Sequence, residues 1–204
     1  MSRSLCEKCQ FVLADCICDK LESVNNQIHV VVLQHSSEQN NAKNTIRLAS
    51  MLYQKVTVLI GDKNDDFTEL NHLPLDTTAL LYPSDNASKL DTNNPKQNLT
   101  HLIVLDGTWK KANKLFFTVD VLKQLQKVSF EQLPENQYHL RKANRSDSLS
   151  SLEAIAYALQ CLEELPMKPA YQALNAMMEN QFKYMPADVR ARYKSKYIKI
   201  SYRR

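Results

Sequence analysis

A chain of 204 residues with 44% hydrophobic content and a formal charge of +4 is long enough for one enzyme-sized domain with a substantial core. No apolar run approaches the roughly 18 residues of a membrane span, and Met1-Ser2-Arg3-Ser4-Leu5 lacks the apolar stretch of a signal peptide, so a cytoplasmic protein with no membrane partner is expected. Two glycines, Gly61 and Gly107, exclude both the Gly-x-Gly-x-x-Gly dinucleotide loop and the Walker A loop.

Cys6-Glu7-Lys8-Cys9 and Cys16-Ile17-Cys18 put four of the five cysteines within the first 18 residues, while Cys161 stands alone in an apolar helical stretch. A reducing compartment disfavours disulfides. Four thiolates in closely spaced pairs instead match a tetrahedral Zn2+ site, structural because sulfur fills every position. Residues 1–22 are expected to form this knuckle and residues 23–204 an α/β domain with a basic tail.

Ile28–Gln34 is β-branched and apolar and predicts a strand. Asn44–Lys55 predicts a helix with Ile46, Ala49, Leu52 and Tyr53 inward, and Val56–Ile60 a second strand. Ala79–Tyr82 and Leu102–Leu105 add two short strands, Lys110–Phe117 and Val121–Gln126 read as helical, and Lys127–Phe130 as a further strand. This alternation argues for an α/β fold with a largely parallel sheet. The polar stretches Asp62–Asp76 and Asp85–Thr100 are expected to be surface loops.

Asp106-Gly107-Thr108-Trp109 follows the run Leu102–Leu105 directly and contains the only tryptophan. Open α/β sheets bind ligands at the carboxyl ends of their strands. Equally, Asp106 can cap the next helix, with Trp109 as ordinary core.

Ser150-Ser151-Leu152-Glu153 opens the clearest helix, Ser150 as cap and Glu153 as its reciprocal partner. The unpaired amides of such an end also suit a carboxylate or phosphate, and Arg141, Lys142 and Arg145 lie just upstream. In Ala170–Met185 the stripe of Tyr171, Leu174, Met178 and Phe182 reads as core packing. The chain ends with Arg190, Arg192, Lys194, Lys196, Lys199, Arg203 and Arg204 interleaved with Tyr193, Tyr197 and Tyr202. Cations for phosphates and rings for bases are the ingredients of a nucleic-acid surface; a solvated charged face is the plainer explanation.

Taken in order, Cys6-x₂-Cys9…Cys16-x-Cys18, Gln34-His35-x-x-Glu38, Tyr82-Pro83-Ser84, Asp106-Gly107-Thr108-Trp109 and Ser150-Ser151-Leu152-Glu153-Ala154 resemble the motifs of the DTW-domain proteins, the tRNA-uridine aminocarboxypropyltransferases. The resemblance runs from Cys6 to about Leu162. Ser36 stands where the family often has proline, and Ser151 where it often has threonine. The resemblance implies transfer of the 3-amino-3-carboxypropyl group from S-adenosylmethionine to N3 of a uridine in tRNA, giving acp3U and 5′-methylthioadenosine. It also implies a SPOUT-like fold, with a C-terminal knot as an option.

On that basis Asp106, Thr108 and Trp109 are the catalytic candidates. Gln34, His35, Tyr82, Pro83, Ser84, Leu105, Gly107, Ser150, Ser151 and Glu153 are expected to bind the S-adenosylmethionine co-substrate. RNA is expected on Arg141, Lys142, Arg145, Arg190, Arg192, Lys194, Lys196 and Lys199, the chain acting as a monomer without an obligate protein partner. Two other readings stay open: a SPOUT-type RNA methyltransferase, which would release S-adenosylhomocysteine, and a noncatalytic zinc-knuckle RNA-binding protein.

Overall fold

In the computed structural model, which describes residues 4–41, 43–92, 98–138 and 149–191, strands His29–His35 (β1), Val56–Gly61 (β2), Thr78–Leu81 (β3), Ser88–Leu90 (β4), His101–Asp106 (β5) and Gln126–Phe130 (β6) form one six-stranded sheet. Its order is β2-β1-β5-β3-β6-β4 and every pairing is parallel. The helices are Ile46–Leu52 (α1), Trp109–Thr118 (α2), Val121–Gln124 (α3), Ser151–Glu163 (α4) and Lys168–Lys183 (α5). None of the described helices is long and apolar enough to cross a membrane.

The central strands are apolar on both faces because both faces are covered. Val30, Val32, Leu102 and Val104 pack with Leu48, Leu52, Ile155, Leu159 and Leu174 of α1, α4 and α5. Val31, Leu33, Leu80 and Ile103 point the other way, against Leu115 of α2, Leu122 of α3, and Phe67 and Leu70. Each such side chain contributes about 1.5–3 kcal/mol on burial, so the two layers fix which face every residue of β1 and β5 presents. A one-residue slip would reverse them all.

Three expectations need correction. The first helix is shorter than Asn44–Lys55. It stops at Leu52 because Tyr53 turns extended and bridges Val24. The polar stretch Asp62–Asp76 is not an open loop: it winds into 3-10 turns at Asn64–His72 and Leu75–Thr77, and buries Phe67 and Leu70. Within Asp85–Thr100, Ser88–Leu90 is the edge strand β4, paired with β6. Residues 93–97 of that stretch lie outside the described residues.

The turn after β2 depends on Gly61. A Cβ there would come within 2.3 Å of the Asp66 Cβ, and Asp66 Oδ2 accepts the amides of Asp62 and Lys63 at 2.8 and 3.0 Å. The N-terminal knuckle shares the core of the α4 side, through buried Cys9 and Ile17. Asp15 ties it to α5, accepting from Lys183 Nζ at 2.7 Å and from the Tyr184 hydroxyl.

Candidate active site

β1 and β5 end side by side, with Gln34 and Asp106 as register partners. Asp106 is buried, and three neutral donors converge on it. Gln34 Nε2 and Asn44 Nδ2 donate to Oδ2 at 2.8 and 3.3 Å, and Ser151 Oγ donates to Oδ1 at 2.5 Å. A carboxylate offers about four lone-pair sites, so about one stays open to a ligand. Ser151 opens α4, which brings the partially positive end of that helix beside the acid.

Asp106 does not cap the helix that follows it. Thr108 does, its Oγ1 accepting the Lys111 amide at 3.4 Å. Gly107 between them has little room for a side chain, since a Cβ would meet the Lys111 Cβ at 3.0 Å. Lys111 in turn reaches Glu38, Nζ to Oε1 at 2.6 Å.

Asp106, Gly107 and Thr108 line a cleft of about 160 Å³ together with Glu38, Asn41, Lys43–Thr45, Tyr138, Ser150 and Ser151. That volume is below the roughly 300 Å³ at which whole-ligand pockets begin. It suits one end of a larger ligand, such as an amino-acid moiety or the edge of a base.

Residues 3–188 match the DTW-domain family model. The chain belongs to the DTW-domain family. A Drosophila melanogaster protein named tRNA-uridine aminocarboxypropyltransferase 2 is 30% identical over 89% of this chain and 80% of its own length. Proteins of the same name from Macaca fascicularis and Mus musculus are each 29% identical over 79% of this chain and 57% of their own length. The chain thus spans a little over half of those two mammalian relatives. No solved structure matches it.

The DTW motif is split by the fold. Asp106 and Thr108 line the cleft, whereas Trp109 is 52% exposed and is neither core nor among the lining residues. Leu105 is half-buried in β5. His35 closes β1 with Nδ1 3.1 Å from Asp62 Oδ1. Ser36 donates to Asp62 through its amide at 3.2 Å and its hydroxyl at 2.5 Å. These bonds hold the Asp62 carboxyl below the usual range, with a smaller contribution from His35.

Tyr82, Pro83 and Ser84 leave β3 at the same sheet edge, one strand over from Asp106, but none of them lines the cleft. The Tyr82 ring stacks on Phe116 at 4.4 Å. Ser84 Oγ is buried and has no partner among the described residues.

At α4 the expected capping box forms. Ser150 Oγ accepts the Glu153 amide at 3.3 Å and Glu153 Oε2 accepts the Ser150 amide at 2.8 Å. The second Glu153 oxygen accepts the amides of Gln137 and Tyr138 at 2.6 and 3.1 Å. Glu153 is fully buried, so this acid acts by pinning the cleft wall against the helix end. Ser150, itself buried, and Ser151 line the cleft beside it.

Sequence reasoning gave no role to Asn44. Its Oδ1 accepts the Ile46 amide at 2.7 Å, and its Nδ2 donates to the Glu38 carbonyl at 2.9 Å besides Asp106. The amide thereby joins the start of α1 to both acidic residues of the cleft. Asn44-Thr45 ahead of an apolar run signals a helix start, but nothing in it points to Asp106.

The four N-terminal cysteines gather as expected, with all sulfurs within 4.8 Å of one another. Cys6–Cys18, Cys9–Cys16 and Cys6–Cys16 are 3.7, 3.8 and 3.6 Å apart. Four sulfurs about 2.3 Å from one tetrahedral ion would stand about 3.8 Å apart, so the cluster is compatible with a metal site. Amides of Cys9 and Lys8 aimed at the Cys6 sulfur hold its thiol down at about 6, whereas burial and the neighbouring thiols push Cys18 up to about 12. A shared cation would favour all four thiolates.

Of the expected RNA-binding cations, Arg190 is half-buried and donates to the Met185 carbonyl at 3.0 Å. Arg141, Lys142, Arg145, Arg192, Lys194, Lys196 and Lys199 lie outside the described residues.

Proposed function

We propose that this protein transfers the 3-amino-3-carboxypropyl group of S-adenosylmethionine to N3 of a uridine in tRNA. The observation that carries the proposal is the buried Asp106 at the strand-end cleft, held by Gln34, Asn44 and Ser151, in a DTW-domain chain with relatives named tRNA-uridine aminocarboxypropyltransferase 2. In the reaction the bond between uridine N3 and the donor's γ-carbon forms and the sulfur–carbon bond breaks. Its electron pair returns to sulfur, N3 loses its proton, and 5′-methylthioadenosine leaves.

The protein's part is mainly orientation. Three donors fix the direction of both Asp106 oxygens, which suits an acceptor that aligns N3–H and takes up its proton as charge develops. At the start of α4 the Ser150, Leu152 and Glu153 amides bond Glu153, Thr45 and Ser150, so the Ser151 amide, beside the cleft, is the group that would meet the donor's carboxylate, with Ser150 and Ser151 shaping that wall. Tyr82–Ser84 at the end of β3 would hold the adenosyl end beyond the cleft, and His35, at the end of β1 on the other side of β5, would meet the co-substrate from that side. Cys6, Cys9, Cys16 and Cys18 would hold a zinc ion that supplies folding free energy and no chemistry. This reading places the protein in the cytoplasm, where thiols stay reduced, with residues 1–22 as a knuckle on the domain of residues 23–204. The SPOUT-type relationship and the optional knot rest on the family resemblance, and the RNA-binding tail on its composition.

Incubating the purified protein with S-adenosylmethionine and unmodified tRNA tests the proposal. 5′-Methylthioadenosine should accumulate in step with modified uridine. S-Adenosylhomocysteine in its place would make the protein a methyltransferase, and tRNA binding with neither product a noncatalytic RNA binder.

A further inference from the structure

α2 presents two adjacent rows to solvent. Trp109, Asn113 and Phe117 follow one another at i, i+4 and i+8, and Lys110 and Lys114 at i and i+4 beside them, all exposed. Trp109 is 52% and Phe117 67% exposed. The Phe117 ring meets Phe116 edge-on at 5.2 Å, yet it and Trp109 remain mostly exposed on one turn-matched face, which calls for an occupant. The helix carries three lysines and no acid, and Lys111 turns aside to Glu38, so Lys110 and Lys114 supply the outward charge, Lys114 with the Asp62 carboxylate within its electrostatic reach.

The face is also held firmly. Phe116 stacks on Tyr82 with the rings 13° from parallel, and the Tyr82 hydroxyl donates to Asn113 Oδ1 at 2.9 Å. Thr108 both lines the cleft and caps this helix, so the aromatic row begins one residue from the Asp106 site.

We propose that this face of α2 seats the RNA strand flanking the target uridine, with bases on Trp109 and Phe117 and phosphates against Lys110 and Lys114. The inference rests on the tRNA reading above and adds where the nucleic acid lies. Exposed rings beside ammonium groups match the two needs of an unpaired strand, stacking surfaces and backbone neutralisation. Eight residues at 1.5 Å each set the two rings about 12 Å apart along the axis, roughly the span of three to four nucleotides at 3.4 Å. A protein partner fits less well, because lysine is depleted from protein–protein interfaces.

Trp109 is the only tryptophan, so tryptophan emission reports on this face alone. Wild-type protein is titrated with unmodified tRNA in the absence of S-adenosylmethionine, with occupancy followed separately by gel mobility. Emission should be quenched in step with occupancy, and inorganic polyphosphate, which carries charge but no bases, should leave it unchanged. Lys110→Gln with Lys114→Gln should weaken tRNA binding roughly tenfold and flatten its salt dependence by about 1.4 units of slope. Saturation with tRNA without any change in emission overturns the proposal, and transfer activity in that same preparation leaves the functional reading standing. Absence of tRNA binding overturns both. Quenching by polyphosphate as strong as by tRNA, or by anionic vesicles with none by tRNA, overturns the proposal too.

Discussion

Gln34 and Asp106, 72 residues apart in the chain, are register partners on adjacent parallel strands and share a hydrogen bond of 2.8 Å. That pair converts sheet register into site geometry. Gln34→Leu keeps the volume near that of glutamine but leaves a buried carboxylate oxygen short of a donor. Unfolding free energy should drop by about 1–3 kcal/mol, read from the urea midpoint. An unchanged midpoint would mean that the contact contributes nothing to holding the strand ends.

The cysteine cluster predicts about one zinc per chain. Cys9→Ser removes a fully buried thiol of the cluster and should lower both metal content and thermal stability, since such sites supply folding free energy directly. Because Asp15 joins the knuckle to α5, the loss should extend to that helix, as faster amide exchange in Lys168–Lys183. Wild-type protein that is fully folded and metal-free would contradict this.

A pH effect is expected at the opposite end of β1 and β5, where the His29 and His101 rings stack at 5.6 Å. Burial, and then the neighbouring His29, hold the His101 pKa below its ordinary 6.5. The unfolded chain therefore binds more protons than the folded one just below pH 6.5, and stability rises with pH across that interval. The contribution is fully present above pH 6.5, is lost as pH falls below it, and levels off once the folded-state ring is protonated as well. Melting temperatures at several pH values should show a shallower acid slope for His101→Gln than for wild type. Identical slopes would remove His101 from the account.

The parallel core was legible because β1, β2, β3 and β5 are continuous apolar runs, and the capping box at Ser150 because it is local. β4 was not, since Ser88-Lys89-Leu90 exposes two of its three residues and pairs only at an edge. The 3-10 turns at Asn64–His72 were hidden by polar composition, with Phe67 and Leu70 alone carrying the burial. Asp106 was visible as a strand-end acid. Its donors Gln34, Asn44 and Ser151 come from three distant segments that only strand register and helix placement bring together. The direction of Trp109 was equally unreadable: it follows from Thr108 capping α2, which fixes which residues of that helix face outward.

The central claim is that the Asp106 carboxylate at this cleft drives transfer. Asp106→Asn keeps the size and most of the hydrogen bonding while removing the anion, so the variant should fold and bind S-adenosylmethionine normally. Single-turnover transfer to tRNA, measured with both substrates prebound, should then fall by roughly 10²–10⁴-fold, the usual span for a positioned acid–base group. An Asp106→Asn enzyme that transfers at the wild-type rate would contradict the claim and leave the acid a structural tie between β5 and α4.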